Sequence, residues 1–183
     1  IRNLSKIYSQ NINVNITNKT IPLPIGIANS MWKHGNLNIW EDILSKTITK
    51  NNSIYFNFNI NTNRKKRKLC FDIVKSKKIP FITTTNYQMY LEILQKYKFC
   101  ICPEGNGLDT HRFWECLYLK VIPVCLKNKI TEFYSNYFPV FLLDKWDDLD
   151  TNLLTMFYDN ANWSNYDLLF LNNDINLLNL KIS

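Results

Sequence analysis

Phe99-Cys100-Ile101-Cys102-Pro103-Glu104-Gly105-Asn106-Gly107-Leu108-Asp109-Thr110-His111-Arg112-Phe113-Trp114-Glu115 passes from an apolar run through a glycine-bearing polar loop into an amphipathic segment. The run before Pro103 reads as a buried strand, and Thr110 to Leu119 reads as a helix with Phe113, Leu117 and Tyr118 on one side. Val121 to Leu126 is a further strand, and so is Val140 to Leu143. Upstream, the alternation Ser53-Ile54-Tyr55-Phe56-Asn57-Phe58-Asn59 predicts a strand. Thr62 is placed to cap a helix that runs to about Lys77. Tyr87 to Tyr97 follows as a helix, and Asp147 to Tyr158 as another, with a helical tail from Trp163. Before this block, Leu37 to Lys46 has helical spacing. Ile21 to Gly26 is extended, and its prolines exclude a central strand. Strands alternate with helices from about residue 53 to 160. That order predicts an α/β domain with a Rossmann-like, mostly parallel sheet and helices on both faces. Ligands in such sheets sit beyond the carboxyl ends of the strands. Two loops hold that position: 59–67 and 103–112.

The bulk numbers fit one well-cored domain with a small appendage. The chain has 183 residues, 46% apolar and 20% charged, which is an ordinary globular composition. It begins at Ile1, which is expected of an internal piece of a longer chain. The net charge of +7 suits either a nucleic-acid binder or an enzyme that holds an anionic substrate. Arg64-Lys65-Lys66-Arg67-Lys68 carries five of the 22 basic residues. Cations at a helix start oppose the dipole unless an anion sits there. The odd count of five cysteines argues against a complete disulfide framework. Cys100 and Cys102 are expected on opposite faces of their strand. With only His34 and His111 as further soft ligands, no metal is expected and buried free thiols are the default. No apolar run approaches a membrane span.

The loop after Cys102 carries the chemistry. Gly105 and Gly107 permit close backbone approach and positive φ. N–H groups at a helix start receive phosphate oxygens, and Arg112 adds a forked cation suited to a diphosphate. Glu115 lies one turn on, on a face that Arg112 shares, where it suits ribose hydroxyls. The loop matches neither the G-K-[ST] phosphate loop nor G-x-G-x-x-G. Asp147-Asp148-Leu149-Asp150 reads as helix-favouring charge.

The run from Phe99 to Val124 resembles the C-terminal signature of exostosin-like glycosyltransferases, glycosyltransferase family 47 and its relatives. The likeness rests on Pro103, Gly105, Arg112, Glu115 and Ile122-Pro123-Val124. Asn57, Asn61-Thr62-Asn63 and Arg67 resemble the segment that opens the nucleotide-sugar domain. Leu23-Pro24-Ile25-Gly26 and Trp32-Lys33-His34-Gly35-Asn36 resemble an upstream element. Where many relatives carry a small residue, this chain has Lys120-Val121. The resemblance implies a GT-B architecture, with residues 1–50 ending an acceptor-side region and 51–183 forming the nucleotide-sugar-binding domain. It implies a nucleotide-diphosphate sugar as donor and a glycan or protein as acceptor, with no cofactor, metal or nucleic acid. Arg67 and Arg112 would meet the diphosphate and Glu115 the ribose. Glu104, Asn106, Asp109 and Thr110, with Gly105, Gly107 and His111 in the same loop, would lie near the sugar or pyrophosphate. His34 and Glu104 are the candidate bases. The α1,3-fucosyltransferases share a similar strand, acidic loop and V-P-V pattern, so the sugar nucleotide is a UDP-sugar or a GDP-sugar. Two alternatives stay open: a non-catalytic sugar-binding protein, and a nucleic-acid-binding module using residues 64–68 with Tyr55, Phe56 and Phe58.

Overall fold

The structure, a computed structural model, describes residues 6–13, 15, 17 and 19–170. In chain order the elements are β1 (Ile7–Ser9), β2 (Thr20–Pro22), α1 (Leu37–Leu44), β3 (Asn52–Tyr55), α2 (Arg64–Ser76), α3 (Tyr87–Leu94), β4 (Tyr97–Ile101), α4 (His111–Tyr118), β5 (Ile122–Leu126), α5 (Lys129–Ser135), β6 (Phe141–Leu143) and α6 (Thr151–Asp159). β3, β4, β5 and β6 form one sheet in that order, every pair parallel. Tyr55 stands beside Cys100, Ile101 beside Val124 and Leu126 beside Leu143. This is a Rossmann-like α/β layer with apolar packing on both faces of the sheet.

Strands laid down in sequence need crossovers of a single hand, which puts at least one helix of each connection on the same face. α3, α4 and α5 share that face with α1: Leu91, Leu117, Ile130 and Trp40 pack there against Tyr55, Cys100 and Cys125. The opposite face holds Ile54, Phe99, Ile101 and Val124, covered by Cys70 and Val74 of α2 and Leu154 of α6. Side-chain direction alternates along a strand with a period of two. Cys100 and Cys102 therefore share a face, and both lie in the α4-side cluster, which overturns the expectation that they diverge. Pro123 sits in the interior of β5 without breaking the sheet. Cys102 N–H donates to the Val124 carbonyl at 2.9 Å, so Val124 turns its polar groups to β4 and Pro123 turns its own to β6. The ladder to β6 begins only at Val124, so the missing N–H has no rung to fill.

Several boundaries differ from the sequence reading. β3 stops at Tyr55. The chain then runs extended, with Ile82 N–H donating to the Phe56 carbonyl at 2.9 Å, and tightens into a 3-10 turn over Ile60–Asn63. The cap of α2 is Asn63, not Thr62; its side chain accepts from Lys66 N–H. β4 takes Tyr97 from the expected helix. α5 was not expected; Asn128 caps it, accepting from Ile130 and Thr131 N–H while the Thr131 hydroxyl accepts from Asn128 N–H. α6 begins at Thr151, capped by Asp150, and Trp146–Asp148 forms a separate 3-10 turn. Of the expected tail helix, Tyr166–Leu169 is a 3-10 turn; the remainder beyond 170 lies outside the described residues.

The segment before β3 is locked onto the domain. β1 and β2 pair in parallel, and the Tyr134 hydroxyl of α5 donates to the Pro22 carbonyl at 3.0 Å. Further on, Gly35 is buried in a 3-10 turn against the carbonyls of Ala28 and Asn29. A Cβ at Gly35 would collide with that backbone, which has no side chain to swing away. Gly35→Ala is expected to lower unfolding free energy by about 2–3 kcal/mol, read by urea denaturation; a loss under ~0.5 kcal/mol would contradict this packing.

Candidate functional site

Topology opens a crevice between the exits of β3 and β4. The chain leaving β3 turns to α2 on one face of the sheet, while the chain leaving β4 turns to α4 on the other. Between two such divergent exits neither loop covers the strand ends, the arrangement in which open α/β sheets bind ligands. A cavity of about 810 Å³ lies there, bounded by Asn57, Asn59, Thr62 and Arg67 after β3 and by Gly105 to Gly107 and Asp109 to Arg112 after β4. A neighbouring hollow of about 480 Å³ shares Ile25, His34 and His111 with it.

Two guanidinium groups face this cavity. Arg67 is turned inward from α2: Nε donates to the Glu104 carbonyl at 2.9 Å and Nη1 to the Asn59 carbonyl at 2.8 Å. Arg112, on the first turn of α4, donates to the Asn57 carbonyl and lies over the Tyr90 ring, 4.9 Å from its centroid. Among the described residues, neither arginine forms a salt bridge with a carboxylate. Burial, and next the like charge of Arg112, push Arg67 below its ordinary value. A negatively charged occupant would relieve that repulsion. The Thr110 side chain makes no cap bond to the start of α4 and lines the cavity, leaving the helix opening to a ligand.

The other basic residues of the run divide differently. Lys66 pairs with Glu104 and Lys68 with Asp72, while Arg64 and Lys65 face solvent. Tyr55, Phe56 and Phe58 are buried in the core, so they offer no exposed stacking surface to single-stranded nucleic acid.

The glycines of the loop serve close approach alone. Neither Gly105 nor Gly107 has positive φ, contrary to one use expected of them. A Cβ on Gly105 would lie 3.3 Å from Arg67 Nη2, and one on Gly107 would enter the Asn11 side chain. Asn63 reaches across, its Nδ2 donating to the Gly105 carbonyl at 2.8 Å. Thr62 and Asn106 line the cavity. Asn61 is exposed on the 3-10 turn, its N–H donating to Asn59 Oδ1 at 2.9 Å.

The carboxylates are already engaged. Glu115 accepts from the Tyr87 hydroxyl at 2.9 Å and the Tyr90 hydroxyl at 2.6 Å. Burial raises both phenols, so they remain donors. Asp109 accepts from Ile25 N–H and Trp114 Nε1, both at 2.8 Å, while its own N–H donates to Asn11 Oδ1 at 2.7 Å. It latches the N-terminal segment to the loop. Glu104 lies away from the cavity, held by Lys66 and by Asn128 Nδ2 at 3.3 Å. His111 Nδ1 is 2.8 Å from the Gly26 carbonyl. A carbonyl only accepts, so Nδ1 carries the hydrogen and a neutral ring presents Nε2 as an acceptor. His34 is exposed at the rim, stacked on Trp32 with centroids 6.1 Å apart.

Tyr87, Tyr90 and Asn11 escaped the sequence reading. The two tyrosines stand three apart on one helix face, which is the only local signal they carry. Their shared partner Glu115 lies more than twenty residues away. No protein-family model matches the chain, and no curated protein matches it.

Burial raises Asp109 to about 6 from 3.8, against the opposing hydrogen bonds of Ile25 and Trp114. Between those values the folded state binds more protons than the unfolded, so this contribution to stability falls as pH rises from about 4 to 6. Asp109→Asn has no such titration. The stability advantage of wild type over the variant is expected to be largest near pH 4 and to shrink by on the order of 3 kcal/mol by pH 7. Urea melts across that range measure it; an advantage that grows with pH contradicts the assignment.

Proposed function

We propose that this protein is an exostosin-like glycosyltransferase domain that moves a sugar from a nucleotide-diphosphate donor to a hydroxyl of a glycan or protein acceptor. The observation that carries the reading is the pair Arg67 and Arg112. Both are fixed by backbone carbonyls, neither forms a salt bridge among the described residues, and both face a cavity at the carboxyl ends of β3 and β4. Preorganised cations of this kind stabilise charge that develops on a departing diphosphate. They do so without reorganising, because Arg67 is held at two nitrogens and Arg112 between a carbonyl and the Tyr90 ring. Such a site needs no metal to neutralise the leaving group.

The acceptor hydroxyl must lose a proton as the sugar transfers. His111 supports that role better than Glu104: its Nδ1 is committed to Gly26, which leaves Nε2 basic, and it lines both hollows. His34 borders the same two hollows. Glu115, bound by two tyrosines, presents a rigid polar floor, so ribose hydroxyls are expected to meet the Tyr–Glu unit rather than a free carboxylate.

The expected outcome is a thermal shift with a UDP-sugar or GDP-sugar. At 100 times its dissociation constant a ligand stabilises by about 2.7 kcal/mol. Arg112→Ala should lose most of the shift, with affinity down by about 30-fold or more. His111→Ala should keep donor binding and lose transfer. No shift with any sugar nucleotide, or an undiminished shift in Arg112→Ala, would contradict the proposal.

A further inference from the structure

Beneath the cavity floor lies a second cluster that the proposed transfer does not use. Cys100 of β4 and Cys102, one residue beyond it, face the same side, and Cys116 of α4 packs in that cluster. The three sulfur atoms lie within 4.8 Å of one another, and Cys102 and Cys116 are 3.6 Å apart. All three are buried and free. We propose that Cys100, Cys102 and Cys116 bind one soft divalent metal ion of the zinc or cadmium class through three thiolates.

The spacing suits such an ion. A zinc–sulfur bond of about 2.3 Å places ligand sulfurs roughly 3.8–4.0 Å apart in tetrahedral or trigonal geometry. Cys102 and Cys116, at 3.6 Å, fall just short of that range and no pair exceeds 4.8 Å, so closure needs shifts below about 1 Å. The donor set is sulfur alone, which selects zinc, cadmium or cuprous ions over magnesium or calcium.

Charge also balances. Free thiols are protonated at neutral pH. Binding exchanges three S–H protons for one divalent ion: M²⁺ plus three thiols gives a tris-thiolate of net charge −1 and three protons released to buffer. Exchange of protons for metal makes affinity rise with pH. The basis is independent of the sugar-nucleotide reading, since it uses sulfur geometry and not the cavity.

The test uses the full chain, fully reduced, titrated with Cd²⁺. One ion per chain by native mass spectrometry, a thiolate-to-cadmium absorption band and release of three protons per ion are expected. Cys116→Ala should weaken binding by at least about 100-fold, while Cys70→Ser, on the opposite face in α2, should leave it unchanged. Refolding the wild type from denaturant with Cd²⁺ present removes any barrier to entry into the core. If neither folded nor refolded wild type takes up the ion with that band, the proposal is overturned. It is overturned equally if Cys116→Ala folds and binds as tightly as wild type.

Discussion

Two positive charges without salt bridges among the described residues, held where the exits of β3 and β4 part, constrain the rest of this structure. Like charges do not gather spontaneously: each guanidinium must be anchored by something other than a carboxylate. The backbone does this. The extended stretch after β3 offers the Asn57 and Asn59 carbonyls, and the loop after β4 offers that of Glu104. β3 ends at Tyr55, short of its alternating pattern: the Phe56 carbonyl accepts from Ile82 N–H and the Asn57 carbonyl from Arg112, in place of ladder partners. The 3-10 turn over Ile60–Asn63 then lets α2 start where Arg67 points inward while its neighbours Lys66 and Lys68 find acidic partners.

A polar scaffold surrounds that pair. Glu115, Tyr87 and Tyr90 tie α4 to α3 across the face of the sheet, and the Tyr90 ring doubles as the platform under Arg112. Asp109 ties the same loop to Ile25 and Trp114. A buried carboxylate is costly unless its oxygens are satisfied; both oxygens of each acid accept a hydrogen bond here. The loop between β4 and α4 is therefore fixed from both sides before any ligand arrives, which lowers the entropic cost of binding.

Much of this was legible in the sequence, for reasons of range. The parallel sheet follows from alternating apolar strands and amphipathic helices, a local signal. So does the pairing of the two loops, since exits from adjacent parallel strands share one end of the sheet. The unread parts were of two kinds. Short elements escaped: α5 spans too few residues for its periodicity to show, and in a chain rich in asparagine its Asn128 cap carries little signal. Long-range partners also escaped, because nothing near Asp109 announces Asn11 or Ile25, and nothing near Glu115 announces two tyrosines. The cysteine expectation failed on periodicity itself, since residues two apart on a strand share a face. The glycines were read for the right reason in part: close approach governs Gly105 and Gly107, and positive φ belongs to Gly26.

Backbone amide exchange with and without UDP and GDP probes the central claim most directly, since it reports where a diphosphate lands and not merely that it binds. The account predicts slowed exchange at the amides of Gly105 to Arg112 and at the start of α2, with α6 unchanged. Protection confined to other elements, or none at saturating diphosphate, would contradict it.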